Sequence, residues 1–352
     1  MALSVWIEKK LGAFQLNVSF ETGGETLGIL GASGCGKSVT LQCIAGTMRP
    51  DRGRIVLNGR VLFDSERRVN LPPQKRNVGY LFQQYALFPN MTVSQNICAG
   101  VRSGTRAEKR AALDAALHRF RLEDAAKQYP ETLSGGQQQR TALARILVGK
   151  PELLLLDEPF SALDSYLKGT LAWELSEALD AYRGDILFVS HDRDEVQRFC
   201  RNVAVLDAGR SEPVVPVESL LLGPRTVAAA RLAGFYNLLD AEQTDGGLWL
   251  PALGLTVPAP KDGQCCDAVC LPDAALSLCS EATEGAIRCT RRGQLYECGQ
   301  KRLLLHPDGA TPETLLCLFP ADSPNTASNP EYWVSINEKA ILYLKNTRFI
   351  AQ

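Results

Sequence analysis

Short, almost wholly apolar runs alternate with longer amphipathic ones over the first two thirds of this chain. TLGILG (26–31), ELLLLD (152–157), DILFVS (185–190) and VAVLD (203–207) have the pattern of strands buried on both faces of a parallel sheet. Between them, RAEKRAALDAALHRF (106–120) and SYLKGTLAWELSEALDAYR (165–183) repeat their apolar positions at helical spacing. The opening stretch MALSVWIEKKLGAFQLNVSF alternates apolar with polar residues and carries charges, which predicts strand and not a secretory leader. In RGRIVLNGRVLFD (52–64), the Asn58-Gly59 pair between alternating residues predicts a hairpin. Residues 1 to about 230 therefore predict an α/β domain with a largely parallel sheet.

After about residue 235 the rhythm changes. GGLWLPALGLTVPAP, RCTRRGQLYECGQKRLLLHP and EYWVSINEKAILYL are short strand-like runs broken by Gly, Pro, Asp and Asn. They predict a small all-β domain, barrel or sandwich-like, so the expected division is 1–235 and 236–352.

Composition narrows the class. The formal net charge of −1 on 352 residues gives no general attraction to nucleic acid or to anionic membrane. Segment 236–352 holds 9 Lys/Arg against 14 Asp/Glu, a net of −5 that leaves about +4 to the first part. No window reaches the roughly 18 uninterrupted apolar residues of a membrane span, so the expected place is the cytosol, or a membrane face held through other subunits. Seven of the eleven cysteines follow residue 260: Cys265, Cys266, Cys270, Cys279, Cys289, Cys298 and Cys317. They form no C-x-x-C pair and have only His306 nearby, so they read mainly as small buried hydrophobes and free thiols.

GASGCGKS (31–38) fits G-x-x-x-x-G-K-[ST] and falls between a buried strand and the helical run VTLQCIAG, the context this motif requires. Backbone N–H groups of Gly31, Ala32, Ser33, Gly34, Cys35 and Gly36 would curl around phosphates. Lys37 would reach the β/γ oxygens, and the Ser38 hydroxyl would bind Mg²⁺. LLLLDEP (153–159) drives a strand into the core and delivers Asp157 and Glu158 to its C-terminal edge, where α/β sheets bind ligands. Asp157 would hold Mg²⁺, while Glu158 would orient and deprotonate a water. In LSGGQQQR (133–140), Gly135 and Gly136 follow Ser134 and open a helix with Ala142, Leu143, Ile146 and Leu147 on one apolar face. Uncovered N–H groups at a helix N-terminus make a place for an anion.

Taken together these motifs resemble the ATP-binding subunit of an ABC transporter, and LSGGQQQR resembles that family's signature. The resemblance covers roughly residues 1–235 and implies an ABC cassette of the P-loop NTPase fold, with a helical subdomain at about 84–145. It further implies that two copies pack head to tail, each ATP lying between one phosphate loop and Ser134, Gly135 and Gly136 of the other copy. Gln83 in GYLFQQYALFP matches the glutamine that senses Mg²⁺ and the attacking water. Asp164 in SALD matches the loop that reports across the dimer, and His191 in FVSHDRDE matches the histidine that contacts the γ-phosphate. The family stacks an aromatic residue on adenine; here that alignment falls on Leu11-Gly12, and Phe14 is the nearby aromatic candidate.

IVLNGRVLFDS and VNLPPQKRNVGYLFQQYALFP are similar to cassettes of the molybdate and sulfate branch of bacterial importers. The tail resembles the small oligonucleotide/oligosaccharide-fold-like regulatory domains that follow those cassettes. The implied partners are separate transmembrane permease subunits, with an extracytoplasmic solute-binding protein acting indirectly, at the cytoplasmic face of the membrane. The apolar stretch YALFPNMTVSQNI beside Gln83 would receive the permease. Ferric iron, polyamine and sugar importers remain alternatives. A chromosome-structure ATPase would separate the phosphate loop from the signature by a long heptad-rich coiled coil, and a translation factor would carry a second phosphate loop.

Overall fold

The structure, a computed structural model, describes residues 3–161, 165–180, 182–260, 265–279, 285–297, 300–318 and 331–345. The chain divides into two compact units, Met1–Val217 and Glu218–Gln352.

The first unit begins with β1 (Leu3–Leu11), β2 (Phe14–Glu21), β3 (Leu27–Leu30), α1 (Lys37–Ala45), β4 (Arg52–Leu57), β5 (Arg60–Asp64), β6 (Val69–Asn70), α2 (Pro73–Arg76) and β7 (Val78–Leu81). It continues through α3 (Val93–Ala99), α4 (Arg106–Arg119), α5 (Gly135–Leu147), β8 (Leu153–Asp157), α6 (Ser165–Asp180), β9 (Asp185–Ser190), α7 (Arg193–Phe199), β10 (Asn202–Asp207), β11 (Arg210–Ser211) and β12 (Val215–Pro216). The strands form one sheet in the order β6-β5-β4-β1-β2-β11-β10-β3-β9-β8-β7, with β12 added beside β10.

This sheet has two halves of different character. β10, β3, β9, β8 and β7 are parallel neighbours, the arrangement the four apolar runs predict. Leu153 to Leu156 are all fully buried, because helices cover both faces of such a sheet. β1, β2, β4, β5 and β6 form an antiparallel half, and the alternation of β2 buries Leu16, Val18 and Phe20. Asn58 (φ 52°) and Gly59 (φ 78°) make the turn between β4 and β5, both left-handed as a two-residue hairpin needs.

Among the described residues, three helices start on capping boxes, in which a hydroxyl and a side chain three residues on satisfy each other's backbone N–H groups. The pairs are Thr92 with Gln95, Thr105 with Glu108, and Ser134 with Gln137. The last pair fixes the point where the chain enters α5.

The second unit carries α8 (Val217–Leu222), α9 (Val227–Leu232), β13 (Leu238–Asp240), β14 (Glu242–Thr244), β15 (Gly247–Leu250), β16 (Leu255–Val257) and β17 (Ala268–Cys270). It ends with β18 (Leu276–Cys279), β19 (Ile287–Glu297), β20 (Gln300–Pro307), β21 (Leu316–Leu318), β22 (Glu331–Ile336) and β23 (Leu342–Leu344). The strands form small antiparallel sheets in the orders β13-β17-β23, β14-β15-β16 and β18-β22-β19-β20-β21. Helix α9 is anchored in this unit: Ala230 packs with Ala268, Cys270 and Leu344, and Val227 N donates to Lys345 O at 3.1 Å. Buried Asn237 clips two segments together, donating to Leu271 O and Cys317 O and accepting from Cys317 N.

Among the described tail cysteines, Cys266, Cys270, Cys289 and Cys317 are buried and Cys265 is exposed. Burial pushes the Cys270 and Cys289 thiols up to about 12. Cys298 lies outside the described residues.

Candidate functional site

Sheet topology assembles the site. β3, β9 and β8 are adjacent and parallel, with Leu30 opposite Ser190 and Asp157 opposite Val189. The segments leaving their C-terminal ends, 31–38, 191 onward and 158 onward, therefore emerge side by side, at the place where parallel sheets bind ligands.

Two glycines of the 31–38 loop, Gly31 and Gly36, leave no room for a side chain. A Cβ on Gly31 would lie 2.4 Å from the Leu206 carbonyl and 2.6 Å from Cys35 Sγ. Gly36 has φ 108° and caps α1, and a Cβ there would meet Leu16 Cδ1 at 2.6 Å and Phe14 Cζ at 3.0 Å. Ala32, Ser33 and Gly34 form the exposed crest, while Cys35, Gly36 and Lys37 are buried beneath it. Burial raises the Cys35 thiol, so this cysteine serves as packing inside the loop.

Lys37 is held in place by acceptors on three sides. Its Nζ donates to Gly31 O at 2.8 Å and Ala32 O at 3.0 Å, and lies 3.3 Å from Glu158 Oε1. The other oxygen of Glu158, Oε2, is 3.1 Å from His191 Nδ1. Glu158 itself sits at φ 45°, a left-handed conformation that costs a non-glycine residue about 1–3 kcal/mol. Its backbone is tied down on both sides, N to Val189 O and O to the Ser161 N–H and hydroxyl. The turn carrying His191 is fixed by Ser190 Oγ, which donates to Glu195 Oε2 at 2.6 Å and accepts from Asp192 N.

Asp157 is buried at the end of β8 and accepts two hydroxyls: Ser38 Oγ on Oδ1 at 3.1 Å and Tyr80 OH on Oδ2 at 2.9 Å. Burial raises its carboxyl above the usual range, and these two hydrogen bonds pull it back. Ser38 and Asp157 thus present an all-oxygen donor set, which fits a hard cation such as Mg²⁺.

Of these groups, Lys37, Ser38 and Glu158 line an open cavity of about 450 Å³. Leu11, Phe14, Gly34, Lys37, Gln83 and Glu158 are among its lining residues, so Phe14 and Gln83 come to the loop from two different strands' ends. Ser134, Gly135 and Gly136 do not line it. They lie at the start of α5, Ser134 and Gly135 exposed and Gly136 buried. Asp164 lies outside the described residues.

Three further residues support the site without any motif to mark them. Tyr80 holds Asp157 Oδ2 through its hydroxyl. Arg76, fully buried, donates to Cys43 O and Ile44 O at the C-terminal end of α1, and to Leu71 O and Asn70 Oδ1. A cation there complements the helix dipole whose other end is the phosphate loop. Arg145 on α5 donates to Tyr85 O and stacks over Phe88, which ties the loop after Gln83 to the helix that Ser134 caps. Tyr85 and Ala86 in that loop are both left-handed, at φ 57° and 45°.

Comparison with known proteins agrees with this geometry. Residues 15–161 match the ABC transporter family model. The chain is 39% identical over 224 residues to a ferric-ion import ATP-binding protein of Haemophilus influenzae, covering 63% of each chain. It is 42% identical to a spermidine/putrescine import ATP-binding protein of Methylococcus capsulatus, over 63% of this chain and 56% of that one. It is 43% identical to a molybdate/tungstate import ATP-binding protein of Archaeoglobus fulgidus, over 60% of this chain and 85% of that one. The chain thus spans under two thirds of the iron and polyamine relatives' length and most of the archaeal relative's. A dimeric post-hydrolysis structure of the ATP-binding cassette MJ0796, bound to ADP and Pi, superposes with a TM-score of 0.52 at 26% identity, over 62% of this chain and 99% of that one. The chain belongs to the ATP-binding family of ABC transporters.

Proposed function

We propose that this protein is the ATP-hydrolysing subunit that powers import of a small solute through separate permease subunits, with molybdate or a related oxyanion such as sulfate as the cargo. The observation that carries the ATPase reading is the convergence of Lys37, Ser38, Asp157, Glu158 and His191 at the ends of three adjacent parallel strands. The 31–38 loop and Lys37 bind the phosphates, and Phe14 supplies an apolar edge for the base. Glu158, held between Lys37 and His191, orients a water and takes its proton as that water attacks the γ-phosphate. His191 bonds Glu158 through Nδ1, which leaves Nε2 for the phosphate. Ser38, Asp157 and Gln83 hold Mg²⁺, which when bound supplies positive charge to the phosphate oxygens.

Ser134, Gly135 and Gly136 have no place in their own chain's cavity and serve the ATP of a second copy packed head to tail. ATP bridging both halves favours a closed pair, and hydrolysis reopens it. Asp164 reports across that pair. The exposed side chains of Phe82, Phe88 and Met91 beside Gln83 offer the permease an apolar seat, and the solute-binding protein acts through that permease at the opposite face. Among the described residues no helix is long and apolar enough to cross a membrane, which fits a subunit held at the cytoplasmic face by its partners. The 236–352 segment is the regulatory domain in this reading.

The molybdate assignment draws support from the 43% identity that spans most of the archaeal molybdate/tungstate relative. Uptake of molybdate, sulfate, ferric iron and spermidine, compared between cells carrying the intact chain and cells carrying Glu158→Gln, tests it. Loss of molybdate uptake alone is the expected result. Loss of iron or spermidine uptake with molybdate unaffected overturns the cargo and keeps the ATPase.

A further inference from the structure

The carboxylate of Asp157 has two oxygens and two hydroxyl partners. One partner, Ser38, belongs to the phosphate loop. The other, Tyr80, comes from β7, on the far side of β8 from that loop, and its OH donates to Oδ2 at 2.9 Å. Parallel pairing sets Tyr80 opposite Leu155, so Tyr80, Leu155 and Asp157 share one face of the sheet. A phenol is long enough to pass Leu155 and reach the carboxylate two residues on. Phe or Met on the same strand would fill the space and leave Oδ2 unpartnered.

The Tyr80 ring is itself fixed. It stacks on Phe82 with centroids 4.0 Å apart and an interplanar angle of 27°. Phe82 immediately precedes Gln83, which lines the cavity with Lys37 and Glu158. One aromatic pair therefore connects the segment carrying Gln83 to the acid at the end of β8.

We infer that Tyr80 is a positioning residue: its hydroxyl locks the Asp157 carboxylate in the rotamer that keeps Oδ1 beside Ser38, and so sets the affinity of this oxygen pair for the divalent cation that accompanies ATP. The inference rests on the reading of Ser38 and Asp157 as the cation's side chains. Without the hydroxyl the carboxylate turns, and the cation must reorder it on binding. A hydrogen bond to a charged group accounts for about a tenfold change in such an equilibrium.

The test is a fluorescent-ATP titration of the full-length chain and of Tyr80→Phe, each in EDTA and across a range of Mg²⁺ concentrations, with thermal unfolding of both. Tyr80→Phe keeps the ring and its stacking on Phe82. The expected result is an unchanged ATP affinity in EDTA, a half-saturating Mg²⁺ concentration raised about tenfold, and a melting temperature close to that of the parent. A variant with the parent's Mg²⁺ dependence overturns the role of the hydroxyl. So does a variant that loses ATP affinity equally in EDTA and in Mg²⁺, because that pattern belongs to packing and not to the cation. A parent chain whose ATP affinity ignores Mg²⁺ overturns the underlying reading of Ser38 and Asp157, and is told apart by needing no variant at all.

Discussion

Glu158 Oε1 lies 3.3 Å from Lys37 Nζ, with both side chains largely withdrawn from water at 15% and 4% exposure. Phosphate oxygens must compete with this carboxylate for the ammonium, and its negative charge repels them at short range. Glu158→Gln keeps the shape and removes the charge. ATP affinity is expected to rise by about three- to tenfold, roughly 0.7–1.4 kcal/mol, in an equilibrium titration. Unchanged or weaker binding would show that the ion pair does not oppose the nucleotide.

The glycines of the phosphate loop differ in how much they restrict. Gly34 is left-handed at φ 81°, but a Cβ there would meet nothing within 4 Å, whereas Gly36 combines φ 108° with contacts at 2.6 and 3.0 Å. Gly36→Ala is expected to cost ATP affinity about 10- to 100-fold through strain of about 1–3 kcal/mol. Gly34→Ala should cost less, and the order of the two affinities is the check.

Cys35 lies inside the motif yet is shielded. Its thiol is raised by burial, and only the thiolate is nucleophilic. At pH 8 an alkylating reagent should modify exposed Cys98 and Cys265 well before Cys35, with the Cys35 rate climbing as pH rises further. Site-resolved mass spectrometry reads the order. Early labelling of Cys35 would contradict its burial.

Arg76 secures the C-terminal end of α1 through carbonyls from Leu71, Cys43 and Ile44. Arg76→Met fills part of the space but leaves those acceptors buried without the guanidinium. The expected destabilisation is about 2–4 kcal/mol, read as a lower denaturation midpoint. A loss under about 0.5 kcal/mol, the range of ordinary surface changes, would mean that water replaces the guanidinium at no cost.

Much of the site is legible in the sequence because its chemistry is contiguous. Gly31 to Ser38 carry their spacing with them, and the leucine run announces where Asp157 and Glu158 leave the core. Tyr80 and Arg76 are not legible in that way. Asp157 lies 77 residues from Tyr80, the α1 carbonyls of Cys43 and Ile44 lie 33 and 32 residues from Arg76, and a tyrosine or arginine next to a strand has many ordinary uses. The left-handed backbone of Glu158 is equally silent, since Asp-Glu-Pro reads only as a strand exit. The antiparallel half of the sheet shows in the alternation of β1 and β2, but the two-residue strand β11 that joins it to the parallel half has no period to detect. In the second unit, strands of three or four residues are too short for periodicity to fix their pairing, and α9 shows no cue that it packs against Ala268 and Leu344.

The most direct test of the account is steady-state ATP hydrolysis by the full-length chain and by Glu158→Gln, with ATP binding measured on the same samples. The expected result is that the parent hydrolyses ATP while the variant binds it and turns it over about 10²- to 10⁴-fold more slowly, the usual contribution of a general base. A variant that hydrolyses ATP at the parent's rate, or a parent that binds ATP and does not hydrolyse it with its permease present, would contradict the account.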